Sequence, residues 1–170
     1  ATHQCNEDIA LMRTIPGMTV INPADALEAR AAVEAAMQTY GPFYMRFGRY
    51  ACPIVTEGHK FELGKGMQLR DGKDVTIIAT GYMVHLALEA AETLAAEGID
   101  ARVINIHTIK PLDKEIILKA AKEKIRVEYE VLKPVTSIAE AMAPDAPKVH
   151  SGGNLCQTRH VTRGDAAVAL

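Results

Sequence analysis

Asp74-Val75-Thr76-Ile77-Ile78-Ala79-Thr80-Gly81, followed at once by Tyr82 to Glu97, decides the fold. The first run is continuously apolar, the pattern of a strand covered on both faces, and Gly81 ends it. The second carries Val84, Leu88, Ala91 and Leu94 on one stripe, with Gly98 as a stop, so it reads as an amphipathic helix. Outward from there, Ala101 to His107 reads as the next strand, Pro111-Leu112-Asp113 opens a helix to Lys122, and Ile125 to Tyr129 reads as a third strand. Strands alternating with helices demand a parallel sheet with right-handed crossovers. The fold class is therefore α/β with a mostly parallel sheet.

Upstream, Asn6 to Arg13 reads as a short helix with Asn6 as its cap, ended by Ile15-Pro16-Gly17. Met18 to Ile21 reads as a strand, Ala24 to Tyr40 as a helix ended by Gly41-Pro42, and Phe43 to Phe47 as another strand with Gly48, Arg49 and Tyr50 at its carboxyl end. From Ala51 to Gly72 the periodicity fades among Pro53, Gly58, Gly64, Gly66 and Gly72, which reads as a linker with at most short hairpin strands. Ser137 to Met142 has a helical pattern, and Ala143 to Leu170 lacks large apolar residues and reads as loop or disorder.

Composition bounds the function. With 170 residues, 48% hydrophobic residues and a net charge of −2, the chain has the character of a globular domain, without the field that nucleic acid or anionic lipid needs. The absence of Trp and the abundance of Ala, Val and Ile suit helices lying close against a sheet. Cys5, Cys52 and Cys156 form no disulfide framework or C-x-x-C site, so a reducing, cytoplasmic setting is expected. The sequence opens on Ala1 rather than Met, as expected of a fragment or a processed chain.

Motif chemistry is sparse. The six histidines contain no H-E-x-x-H pair, and Cys156 with His160 makes only half a metal site, so no metal ligands are assigned. There is no P-loop and no G-x-S-x-G, and Thr80-Gly81 supplies one glycine where a dinucleotide fingerprint needs three. Position says more. Ligands gather at the carboxyl ends of parallel strands, and Arg49 lies at such an end, where a guanidinium suits a phosphate or carboxylate. The alternative is a surface Arg paired with a carboxylate. Arg46 should point to the opposite strand face. His3, before an acidic first turn, has the chemistry to donate to a phosphate or exchange protons, or to cap and pack.

Residues 1–25, Ala-Thr-His-Gln-x-x-Glu-Asp-Ile-Ala-Leu-Met-Arg-x-Ile-Pro-Gly-Met-x-Val-x-x-Pro-Ala-Asp, closely resemble the transketolase family. Gly41-Pro42 to Arg49 continues the resemblance, and Val75 to Asp113, with Ala79-Thr80-Gly81 and Ile109-Lys110-Pro111-Leu112-Asp113, is similar to the family's C-terminal domain. The likeness is to the separate C-terminal subunit of split transketolases and covers roughly residues 1 to 125. It implies the second half of a thiamine-diphosphate pyrimidine-binding domain at 1–50, a linker at 51–72, a Rossmann-like C-terminal domain at 73–143 and a divergent tail at 144–170. Val127 to Pro134 departs from the family's acidic pair and glycine-rich turn.

What the resemblance implies for function is transfer of a two-carbon ketol unit between sugar phosphates. His3 then serves as a catalytic and substrate-contacting residue, and Arg49 binds the sugar phosphate. Thiamine diphosphate with Mg²⁺ is implied as the cofactor, held mainly by an N-terminal half not in this sequence, so no cofactor-binding residue is assigned here. The implied partner is that N-terminal subunit or domain, in a homodimer or heterotetramer. Two alternatives stand: a 1-deoxy-D-xylulose-5-phosphate synthase, and a non-catalytic assembly domain.

Overall fold

The computed structural model describes residues 5–123 and, as backbone strands, Arg126–Leu132 and Cys156–His160. The expected helix at Ser137 to Met142 lies outside the described residues. Helix α1 (Asp8–Thr14) leads into β1 (Thr19–Ile21), α2 (Ala26–Gln38) and β2 (Phe43–Met45). After β3 (Met67–Arg70) come β4 (Val75–Ala79), α3 (Met83–Ala96), β5 (Ala101–Asn105), β6 (Thr108–Lys110), α4 (Lys114–Lys122), β7 (Arg126–Leu132) and β8 (Cys156–His160).

The larger sheet has the order β3-β5-β4-β7-β8, with β5, β4 and β7 parallel and β3 and β8 antiparallel at its edges. Its two faces are covered separately. Ile77, Ala79 and Val103 meet Ala87, Leu88 and Ala91 of α3, whereas Ile78 and Ile104 meet Ile116, Ile117 and Ala120 of α4. Adjacent residues of β4 and β5 thus serve opposite layers, which is why their sequences are apolar without alternation. Small residues at the α3 contact let that helix approach closely. Asp113 starts α4 by accepting from the amides of Glu115 and Ile116, and its other oxygen accepts from Gly66 at 2.9 Å, tying the approach to β3 to the helix start.

The second sheet is small, in the order β2-β1-β6. Strands β1 and β2 are parallel, as a strand-helix-strand unit requires, and β6 pairs antiparallel with β1. Here expectations need correction. The run through His107 ends as a strand at Asn105, and Thr108–Lys110, not expected as a strand, joins the other sheet. The 51–72 linker contains no hairpin; its strand β3 pairs with β5, some 30 residues on. Helix α1 is preceded by Glu7, not Asn6, and no side chain caps it. Strand β2 ends at Met45, two residues before the expected Phe47. Within the tail expected to be irregular, Cys156–His160 is a strand beside β7.

The two sheets meet at Asn22. Its amide donates to the His107 carbonyl at 2.8 Å, and its side chain lies over Gly81, which holds φ +57°. A β-carbon at Gly81 would stand 2.4 Å from the Asn22 amide nitrogen. Gly81→Ala is expected to lower unfolding free energy by about 1–2 kcal/mol from the left-handed backbone alone, and by more from the clash. Urea denaturation of Gly81→Ala with and without Asn22→Ala checks this: the second substitution should return part of the loss, and strictly additive effects would contradict it.

Candidate functional site

Two arginines leave the end of β2, and the structure separates them. Arg46 turns its guanidinium to Asp8, with Nε 3.2 Å from Oδ2, and also donates to the Cys5 carbonyl at 3.2 Å. Asp8 is buried, and Tyr44 donates its hydroxyl to the same Oδ2 at 2.7 Å. That hydrogen bond, with partial burial, pushes the Tyr44 phenol up to about 12. Arg46 is thereby a structural cation that fixes the start of α1 against β2. Arg49 is exposed and forms no ion pair among the described residues. Because β2 ends at Met45, strand alternation does not decide how Arg46 and Arg49 face; the ion pair with Asp8 is what distinguishes them.

Beside Arg49, Tyr50 meets Tyr82 with ring centroids 5.7 Å apart, and Tyr82 meets His85 edge-on at 4.4 Å. The loop carrying Arg49 therefore reaches across to the N-terminal end of α3. His85 is buried, and its Nδ1 has no partner among the described residues. His3 lies outside the described residues.

A second polar cluster, not anticipated from the sequence, lies beneath this loop. Asp25 caps α2 by accepting from the Glu28 amide at 2.9 Å, and it also accepts from the amides of Val55 and Thr56 at 2.7 and 2.8 Å and from the Thr56 hydroxyl. Burial alone would raise the Asp25 carboxyl, but these donors together hold it below its ordinary value. Glu28, only 2% exposed, accepts from the Ala24 amide at 2.6 Å and from the Asn105 side-chain amide at 2.8 Å. Asn105 ends β5, so this carboxylate joins α2 to the larger sheet. Burial pushes Glu28 up to about 7, against the pull of its two donors and with a smaller push from the charge of Asp25.

His107 lies 4.0 Å from Glu28 through Nε2, stacks on Phe61 at 4.4 Å, and shares a 2.9 Å hydrogen bond between Nδ1 and the Thr108 hydroxyl. Burial lowers it to about 4, so it is neutral at pH 7 and makes no ion pair with Glu28. The sequence signal for this cluster was Asp25-Ala26-Leu27-Glu28, an acid three residues after a capping acid, as in a capping box. Here the second acid reaches back to Ala24 and outward to another sheet at once. Among the described residues, no group of three or more His, Cys, Asp or Glu could hold a metal ion.

Comparison with known proteins places the chain. Residues 1–54 match the transketolase pyrimidine binding domain, and residues 64–129 match the transketolase C-terminal domain. A 6-deoxy-6-sulfo-D-fructose transketolase subunit of Clostridium sp. (strain MSTE9) is 50% identical over 121 residues, covering 71% of this chain and 38% of that protein. A solved structure described as a split gene transketolase, inactive beta4 tetramer, is 46% identical with a TM-score of 0.71, covering 75% of this chain and 43% of the other. A 1-deoxy-D-xylulose-5-phosphate synthase of Trichormus variabilis is 44% identical over 131 residues, covering 74% of this chain and 21% of the enzyme. The chain thus spans about two fifths of the transketolase subunits it matches.

The two buried titrations act in opposite directions on stability. Folded Glu28 keeps its proton to about pH 7 but releases it near 4.5 when unfolded, so its contribution falls as pH rises from 4.5 to 7. Folded His107 stays neutral down to about pH 4 but gains a proton near 6.5 when unfolded, so its contribution rises between 4 and 6.5. The two offset each other where the windows overlap. Glu28→Gln removes the falling limb, and Asn105 can turn its unpartnered Oδ1 toward the new amide. Relative to the native chain, this variant should gain stability steadily from pH 4.5 to 7 in urea titrations. A difference that does not change with pH would contradict the assignment.

Proposed function

We propose, from the premise that this chain belongs to the transketolase family, that it is the C-terminal portion of a thiamine-diphosphate-dependent transferase that moves a two-carbon ketol unit between sugar phosphates. The observation that carries the reading is the division between Arg46, neutralised by Asp8, and Arg49, exposed in the loop after β2 and without an ion pair among the described residues. A guanidinium placed this way offers two parallel charge-assisted hydrogen bonds to a phosphate. The proposed role of His3, which lies outside the described residues, rests on the family resemblance alone. In the substrate channel it would exchange or donate a proton at the reacting sugar.

Thiamine diphosphate, implied by the family, supplies the nucleophile and electron sink when bound. The described residues do not fit it. They offer no metal cluster, and the oxygens of Asp25 and Glu28 are occupied by protein donors. The diphosphate and Mg²⁺ are therefore assigned to an N-terminal subunit or domain, with which this chain would assemble as a homodimer or heterotetramer. Sugar-phosphate interconversion of the pentose phosphate type in a reducing cytoplasm is the setting proposed. No helix among the described residues is long and apolar enough to cross a membrane.

Combined with a matching N-terminal subunit, thiamine diphosphate and Mg²⁺, the chain should restore ketol transfer from a ketose phosphate to an aldose phosphate. Arg49→Ala should raise KM for phosphorylated substrates about 10- to 100-fold, the worth of a lost charge-assisted contact, with little change for unphosphorylated ones. Release of CO₂ from pyruvate with glyceraldehyde phosphate would instead identify a deoxyxylulose-phosphate synthase. A folded assembly inactive on either pair would leave only the assembly role.

A further inference from the structure

We propose that Asp25 is a positioning residue for Arg49: its buried carboxylate closes the base of the loop from Arg46 to Thr56 and holds the guanidinium in place for phosphate. The inference rests on the phosphate-binding reading of Arg49. Both ends of the loop are tied to one short stretch, Ile21 to Asp25. At the near end the Arg46 amide donates to the Ile21 carbonyl at 2.9 Å, and at the far end the amides of Val55 and Thr56 donate to one oxygen of Asp25 at 2.7 and 2.8 Å. Between them, residues 47–54 make no backbone–backbone hydrogen bond among the described residues. The loop's geometry therefore depends on its two ends and on the Tyr50–Tyr82 contact near its tip.

Asp25 does more than a helix cap requires. Capping α2 uses one oxygen, and the other is given wholly to the loop, with the Thr56 hydroxyl shared between them. Asp25 is 5% exposed and Thr56 4% exposed, so water has little access to these bonds. A buried, ionised acceptor with several N–H and O–H donors makes strong, short hydrogen bonds. Ordering a free loop costs about 1–2 kcal/mol per residue, so a loop closed in advance spares phosphate binding much of that cost.

The test uses the full chain assembled with its N-terminal partner, cofactor and Mg²⁺. Asp25→Ser keeps a capping oxygen for Glu28 but is too short to reach Val55 and Thr56. Thr56→Val removes only the hydroxyl donor. For Asp25→Ser the expected result is a KM for a ketose phosphate raised about fivefold or more, kcat nearly unchanged, and KM for an unphosphorylated ketose unchanged. Thr56→Val should move the same way by less. In an Arg49→Ala background, Asp25→Ser should add nothing further to KM.

Loss of kcat on both substrate kinds with KM unchanged would mark a merely structural role and overturn the proposal. So would an Asp25→Ser effect that persists in full without Arg49. If Asp25→Ser does not fold, an unchanged KM in Thr56→Val overturns it. If Arg49→Ala alone leaves phosphate preference intact, the reading of Arg49 fails, and the proposal falls with it for that separate reason.

Discussion

A single buried carboxylate governs how the two sheets are joined. Glu28 sits in the first turn of α2 and is almost wholly shielded from water, so each of its oxygens must find a donor inside the protein. One finds the Ala24 amide, immediately before the helix, and the other finds Asn105 at the end of β5. Withdrawing α2 from β5 would leave that oxygen without its donor, at a cost of about 1–3 kcal/mol or more for a charged group. Strand β6 adds a backbone ladder to the same junction by pairing with β1, and Asn22 adds a third tie through the His107 carbonyl. The small β2-β1-β6 sheet is thus bound to the larger one by the buried Glu28–Asn105 pair together with these backbone ties.

The loop bearing Arg49 inherits its position from this junction. Strand β1 lies in register with β2, which brings Met45 opposite Ile21, and the chain then runs out to Arg49 and returns to Asp25, three residues before Glu28. Two neighbouring carboxylates therefore have different tasks, one toward the loop and one toward the other sheet. Their ionisation differs for a physical reason: Asp25 gathers several donors, which hold it low, while burial dominates at Glu28. Arg46 and Arg49 show a similar division, since the buried charge of Asp8 takes up the first and leaves the second exposed.

The succession β4, α3, β5, α4 was legible because each of its signals is local. Continuous apolar runs, the stripe through Val84 and Ala91, and the caps at Asp113 and Gly98 lie within the elements they define. Strands β3 and β6 were not legible for the converse reason. Each is three or four residues long, and its pairing partner lies some 30 or nearly 90 residues away, so nothing in Met67–Arg70 or Thr108–Lys110 marks it. Arg49 could be singled out by its place after an apolar strand. Asp25 and Glu28 were not singled out, because the partners that give them their roles, Thr56 and Asn105, lie 31 and 77 residues on. Buried polar pairs of this kind have no periodicity to reveal them.

Native-state hydrogen exchange tests most directly the claim that the buried junction makes both sheets one cooperative body. The slowest amides of Val20 and Ile21 in the small sheet should exchange with the same opening free energy, and the same denaturant dependence, as those of Val103 and Ile104 in the large one. Opening of Val20 and Ile21 at a distinctly lower free energy, with Val103 and Ile104 still protected, would show that Glu28 and Asn105 do not hold the sheets together, and would contradict the account.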